Sequence, residues 1–307
     1  MTKKILVTGA CGMIGYRLCE SLYQQNIPFV GLDLKSPDKT SVPLHFFVKA
    51  DCLNLNQLSQ LKDSFHMVIH LAAHASVIPT IKNPQLAIDN ILMTYNVLEF
   101  CRSKRINKLL FSSSREVYGS QKDHIFMESD SNSLYIKNPY GASKLSCESL
   151  ISSYAKSFNI SSIICRFSNI YGLYDFSSRV IPTFIKKSFN NERISIFGSE
   201  KILDFLFIDD CIDIINKLIT YRPNTSTYFV NLMSNTPTSL INLAHIVKEK
   251  TNSSSEVVLL KNRSGETEYF VGSNKKLLLD IKPKPLTSLS EGLDFSISWY
   301  KDYFLLK

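Results

Sequence analysis

The segment Tyr140-Gly141-Ala142-Ser143-Lys144 follows Asn138-Pro139, a pairing that predicts a helix start there. A spacing of four puts the phenol of Tyr140 and the ammonium of Lys144 on one helical face. A phenol titrates near pH 10 and is a poor base at neutrality, but an adjacent cation lowers that value. Upstream, Leu109-Leu110-Phe111 runs into Ser112-Ser113-Ser114. This reads as a strand tip from which a hydroxyl reaches the same substrate oxygen as the phenol. Together these groups could take a proton from an alcohol. A tyrosine and lysine four apart occur by chance in many chains, so their meaning depends on what precedes them.

What precedes them is Thr8-Gly9-Ala10-Cys11-Gly12-Met13-Ile14-Gly15, set between the apolar run Ile5–Val7 and a stretch with Leu18 and Leu22 at helical spacing. In such a loop Gly9 permits the tight turn, Gly12 lets the backbone approach a pyrophosphate, and Gly15 lets the helix pack close to the strand. The helix start supplies free N–H groups and partial positive charge for phosphate. Asp33 ends the run Val30-Gly31-Leu32, 18 residues after Gly15. A carboxylate there accepts hydrogen bonds from both hydroxyls of an adenosine ribose and repels a 2′-phosphate, which points to NAD rather than NADP. Lys35 would soften that discrimination.

These residues need a scaffold of parallel strands. Short apolar runs (Ile5–Val7, Phe29–Leu32, Phe46–Val48, Met67–His70, Leu109–Phe111, Ser162–Cys165) alternate with helix-period stretches, the pattern of an α/β, Rossmann-type doubly wound parallel sheet. Between two of them Pro84 opens a helix with Leu92, Tyr95, Leu98 and Phe100-Cys101 as its apolar load. After about residue 169 prolines become denser. Thr238-Ser239-Leu240 followed by Leu243, Ile246 and Val247 looks like a capped helix. The expected division is an NAD-binding domain over 1–168 and a substrate-binding region over 169–307, from which strands return to the first sheet or stay apart.

Composition narrows the class. Of 307 residues 44% are apolar and 20% charged, and no apolar run reaches the ~18 residues a membrane span needs. The apolar start Ile5-Leu6-Val7 is broken at Thr8-Gly9, so it reads as a buried strand and not a secretory signal. Seven scattered cysteines with no C-x-x-C pair offer neither a zinc site nor a disulfide framework, and suit a reducing cytoplasm. The net charge of +8 suits an anionic partner. Its basic residues come in isolated pairs such as Lys186-Lys187 and Lys275-Lys276, which favours a phosphorylated small molecule over nucleic acid.

The chain resembles the extended short-chain dehydrogenase/reductase family, specifically its nucleotide-sugar epimerases and dehydratases of the UDP-glucose 4-epimerase kind. The likeness spans nearly the whole length: Thr8–Gly15, His70–Ala73, Ser112–Gly119, Pro139–Lys144, Arg166–Gly172 and Asp204–Asp210. It implies that Ser114 polarises a sugar hydroxyl, Tyr140 removes its proton, and Lys144 holds the nicotinamide ribose and depresses the tyrosine's pKa. It implies that Gly9, Gly12, Met13, Ile14, Gly15, Asp33, Leu71, Ala72 and Ala73 line the NAD site, with Asp51 and Cys52 at the adenine. Ser113, Asn169, Arg179 and Arg263 would meet the nucleotide-sugar substrate, a UDP-sugar by preference; Arg179 reads equally well as a surface charge. The resemblance also implies a homodimer joined through helices near 85–103 and 140–157, where Tyr95, Phe100, Ile151 and Tyr154 serve the interface or the core.

Three residues depart from the family pattern. Leu203 stands where an arginine usually precedes Asp-Phe, which removes a bidentate phosphate clamp; Lys201 could compensate as a point charge. Met93 stands where the helix after Asn90 commonly carries glycine. Arg115 stands beside Glu116 where 4,6-dehydratases pair an aspartate with that glutamate. Glu116 points to dehydration or decarboxylation, and Arg115, which would pair with it, points away from both. The reading is an NAD-dependent nucleotide-sugar 4-epimerase acting through a transient 4-keto sugar. Its alternatives are a dehydratase or decarboxylase using Glu116, and an NAD-binding regulator without turnover.

Overall fold

A computed structural model describes residues 3–37 and 41–305. The first half alternates strand and helix: β1 (Lys4–Thr8), α1 (Met13–Gln24), β2 (Phe29–Asp33), β3 (Phe47–Lys49), α2 (Leu55–Ser59), β4 (Phe65–His70), α3 (Val77–Lys82), α4 (Gln85–Ser103) and β5 (Lys108–Ser114). There follow β6 (Ile125–Phe126), α5 (Pro139–Phe158), β7 (Ser161–Phe167), β8 (Asn169–Tyr171), α6 (Val180–Phe189), β9 (Ile194–Phe197), β10 (Ile202–Phe207) and α7 (Ile208–Thr220). The last elements are β11 (Thr227–Leu232), β12 (Pro237–Ser239), α8 (Leu240–Lys250), β13 (Val257–Leu260), β14 (Val271–Gly272), α9 (Lys275–Asp280) and α10 (Leu289–Leu305).

Seven strands form one parallel sheet in the order β11-β7-β5-β4-β1-β2-β3. The chain leaves β1 toward β2 and β3, then restarts at β4 on the other side of β1. The carboxyl ends of β1 and β4 therefore flank the crevice where such sheets bind ligands. Strands β1, β4, β5 and β7 are buried almost end to end, as strands covered on both faces must be. One core packs α2, α4 and α5 against the sheet; the other packs α1 and the later helices.

Several local expectations shift. The run at Phe46 enters the sheet one residue late, because Leu44–Phe46 forms a 3₁₀ turn before β3. Within α4, Leu98, Phe100 and Cys101 are buried, but Leu92 and Tyr95 are exposed with Ile88 on the outer face. Ser239 caps α8 through the N–H of Asn242 at 3.1 Å. From the second half, β11 pairs with β7 along six residues, so the region after 169 contributes an edge to the first sheet. The remaining late strands form small separate sheets, β12-β10-β8, β13-β9 and β14-β6.

Candidate active site

The glycine loop is fixed by contact. Gly9 has φ +69°, and a Cβ there would sit 2.7 Å from the Ala72 nitrogen, so β1 and β4 approach too closely for any side chain. A Cβ on Gly15 would strike the Gly9 carbonyl, which is why α1 can start against the loop. Asp33 accepts the Cys11 N–H at 2.9 Å and the Lys35 N–H at 3.4 Å, placing its carboxylate beside the loop. Gly12, Met13 and Ile14 open α1, and Leu71, Ala72 and Ala73 follow β4 across the crevice. Asp51 accepts the Leu53 N–H at 2.8 Å; Cys52 is buried and its carbonyl takes the Asn96 amide at 2.9 Å. A narrow backbone cradle, a helix start and an acid at the tip of β2 are what an adenine dinucleotide needs, and the residues fit NAD.

Behind the cradle lies a network that sequence reading missed. Thr8 Oγ1 lies 2.7 Å from His70 Nδ1 and accepts the Ala72 N–H at 3.3 Å. Thr94 Oγ1 lies 3.4 Å from His70 Nε2 and donates to the Asn90 carbonyl at 2.9 Å. The Thr8 hydroxyl therefore gives its proton to Nδ1, which leaves the ring proton on Nε2. Burial holds the imidazole neutral, with a pKa of about 3. In the sequence His70 stood out only as the first residue of the His70–Ala73 motif at the end of an apolar run.

Ser114, Tyr140 and Lys144 converge at the end of β5. Asn138 caps α5 through the Gly141 N–H at 2.9 Å, and Pro139 sits in its first turn. A Cβ on Gly141 would lie 2.7 Å from the Glu116 carbonyl, so this glycine lets α5 press against residues 115–117 and brings Tyr140 to Ser114. The Ser114 hydroxyl lies near enough to the phenol to lower its pKa, and it accepts the Glu116 N–H at 3.2 Å. Burial pushes Tyr140 up to about 12, and the guanidiniums that pull it back are Arg179 and Arg115. The expected depression of the phenol by Lys144 is not what the protein alone displays. The Lys144 ammonium donates to the Ser112 carbonyl at 2.7 Å, lies 5.9 Å from the centre of the Tyr140 ring, and is itself lowered to about 8 by burial.

Glu116 is 4% exposed and fully engaged. One carboxylate oxygen pairs with Arg115 Nη2 at 3.0 Å; the other accepts the Asn138 amide at 2.9 Å and the Thr267 hydroxyl at 3.2 Å. The ion pair expected from the Arg115-Glu116 sequence is present, while Asn138 and Thr267 were not legible as partners.

The expected substrate residues disperse. Ser113 does not face the cluster: alternation along β5 turns it to the opposite side, where its hydroxyl donates to Glu148. Asn169, half-buried, spends its amide on the Asp204 carbonyl at 2.7 Å. Arg179 is exposed, donates to the Ala75 carbonyl at 3.3 Å, and acts electrostatically on Tyr140. Arg263 is half-exposed, stacks on Phe197 at 3.5 Å and lies 3.7 Å from Glu266. Lys201 is buried and bound to Glu266 at 2.6 Å, and Leu203 is buried in the core. A further pair escaped the sequence: Arg166, 2% exposed, meets Glu148 at 2.7 Å and also reaches the Tyr118 hydroxyl and the Glu128 carbonyl.

Residues 5–230 match the model of the NAD dependent epimerase/dehydratase family. The chain is 32% identical to a putative UDP-glucose 4-epimerase of Methanocaldococcus jannaschii, covering 97% of this chain and 98% of that one. It is 34% identical to a dTDP-D-glucose 4,6-dehydratase of Dictyostelium discoideum over 68% of this chain and 54% of that one. Its fold superposes with a TM-score of 0.90 on the Thermus thermophilus UDP-glucose 4-epimerase solved with NAD, at 23% identity, covering 97% and 99% of the two chains.

Proposed function

The chain belongs to the NAD dependent epimerase/dehydratase family, and from that premise we propose that it is a nucleotide-sugar 4-epimerase acting through a transient 4-keto sugar. One observation carries the choice: the Glu116 carboxylate is already saturated by Arg115, Asn138 and Thr267. Elimination or decarboxylation needs a further free acid or base near the reacting carbon, whereas epimerisation needs only the groups that handle the hydroxyl proton.

Bound NAD supplies a hydride acceptor and donor and a positive ring beside the phenol. Tyr140 takes the proton of the sugar's 4-hydroxyl and later returns it, while the Ser114 hydroxyl holds the oxygen in place. Burial holds the phenol up at about 12 even against the pull of Arg179 and Arg115, so the positive ring of the bound cofactor would have to supply the further lowering. Lys144 adds an ammonium beneath the ring and binds the cofactor's ribose. The exposed Arg179 and Arg263 are the candidates to meet the nucleotide diphosphate, while Asn169 would first have to release the Asp204 carbonyl; UDP is the favoured nucleotide, as in the M. jannaschii relative's name.

A second reading has its own support. Glu116 lies close enough to Tyr140 to raise its pKa, so a dehydratase using that carboxylate competes. Glu116→Gln keeps shape and hydrogen bonding but cannot exchange a proton. In a 4-epimerase it lowers turnover less than about tenfold; in a dehydratase it stalls the reaction after oxidation, and reduced nicotinamide accumulates in a single turnover.

The exposed Ile88, Leu92 and Tyr95 of α4, with Phe158 at the end of α5, form the face proposed to meet a second copy, whereas Phe100 and Ile151 are core. All seven cysteines are free, and among the described residues no helix is long and apolar enough to cross a membrane; both features support a cytoplasmic setting.

A further inference from the structure

Asn138 performs two tasks with one side chain. Its Oδ1 caps α5 by accepting the Gly141 N–H at 2.9 Å. Its Nδ2 donates to a Glu116 carboxylate oxygen at 2.9 Å and to the Gly265 carbonyl at 3.1 Å. An aspartate would cap the helix as well; asparagine adds the donor that these two acceptors use. Thr267 donates to the same Glu116 oxygen at 3.2 Å, and the Glu116 backbone N–H donates to Ser114 Oγ at 3.2 Å. Asn138, Glu116, Thr267 and Ser114 are all buried, where hydrogen bonds to a carboxylate are strong. Residues 265–267 are thereby joined to Ser114 and, through Asn138, to the turn of α5 that carries Tyr140.

The same segment is anchored on its other side. Glu266 binds the buried Lys201 at 2.6 Å, and the Arg263 guanidinium lies 3.5 Å from the centre of the Phe197 ring. Gly265, at φ +79°, presses on Ile81, where a Cβ would come within 2.5 Å of its Cδ1. Residues 263–267 therefore carry a half-exposed guanidinium at their start and a tie to the proton-handling groups at their end. We propose that Asn138 and Thr267 are positioning residues: through Glu116 they hold Ser114 and Tyr140 in line with a nucleotide sugar whose diphosphate rests on Arg263. This rests on the reading of the site as a nucleotide-sugar epimerase.

Thr267→Val keeps the shape and removes the donor; Asn138→Ser keeps a capping oxygen and removes the amide. The rate of nicotinamide reduction in a single turnover, with each member of a UDP-sugar panel, reads the alignment, because oxidation of the sugar hydroxyl is the step that Ser114 and Tyr140 serve. Either change should slow that step about tenfold, the scale of one hydrogen bond to a charged group. The KM for the sugar and the affinity for NAD, measured by calorimetry, should stay nearly unchanged. Thr267→Ser, which returns the hydroxyl, should restore the rate. An unchanged rate, a loss matched by weaker NAD binding, or a loss that Thr267→Ser does not repair overturns the assignment. A product lighter by one water, with the same rate losses, overturns the epimerase reading and leaves the positioning role standing. Wild-type protein that reduces no nicotinamide with any UDP-sugar overturns both.

Discussion

Asp33 accepts the backbone N–H of Cys11 at 2.9 Å, tying the acid that ends β2 to the third residue of the glycine loop. The bond fixes where the carboxylate stands and leaves it half-exposed at the mouth of the crevice. Asp33→Ala removes the charge proposed to repel a 2′-phosphate. NADP should then gain on NAD by ~1–2 kcal/mol, the scale of a hydrogen bond to a charged group. Titration of both cofactors against the variant checks this; an unchanged preference would mean the carboxylate does not face the ribose.

Tyr140→Phe removes the proposed proton acceptor without emptying the space it fills. Turnover should fall by on the order of 10²–10⁴ while NAD binding is retained. Steady-state rates and a cofactor titration on the same sample separate the two effects. Near-wild-type turnover would show that another group takes the proton.

His70 carries a pH dependence whose sign follows from burial. Its folded pKa of about 3 lies below the ordinary 6.5, so the unfolded chain binds more protons between those values. Stability is unaffected by this group above pH 6.5 and declines as pH falls toward 3. Urea midpoints at pH 7 and pH 5 should therefore draw together in His70→Gln relative to the native protein. Parallel shifts in both proteins would mean His70 does not titrate on unfolding.

Arg166 and Glu148 form a buried pair at 2.7 Å that ties β7 to α5. Removing one partner leaves an uncompensated buried charge. Arg166→Met should cost about 3–5 kcal/mol, and the double change with Glu148→Leu should recover most of it. Denaturant unfolding of the single and double variants measures both. Equal stability of the two would show that the lost contacts to Tyr118 and Glu128, not the stranded carboxylate, set the cost.

What the sequence made legible is local. The glycine loop, the helix start at Asn138-Pro139 and the cap at Ser239 each depend on residues within a few positions, and each is written in residue types that only those backbones favour. What it concealed depends on contacts between distant segments. No periodicity indicates that β11 pairs with β7, that Thr267 reaches Glu116 across 151 positions, or that Lys201 is bound by Glu266. Ser113 illustrates the limit within one motif: the serine run marks the strand tip, but a slip of one residue along a strand reverses the face, and only Ser114 meets Tyr140. The outward turn of Leu92 was hidden for a similar reason, and Tyr95 was left open between interface and core, since an apolar residue on a helix does not announce which surface it covers.

In a 4-epimerase the sugar keeps all its atoms. Mass spectrometry of the product formed by wild-type protein and NAD from a UDP-sugar panel measures this directly. The expected product has unchanged mass and separates chromatographically as the C4 epimer. A product lighter by one water, or by carbon dioxide, would contradict it and return Glu116 to the chemistry.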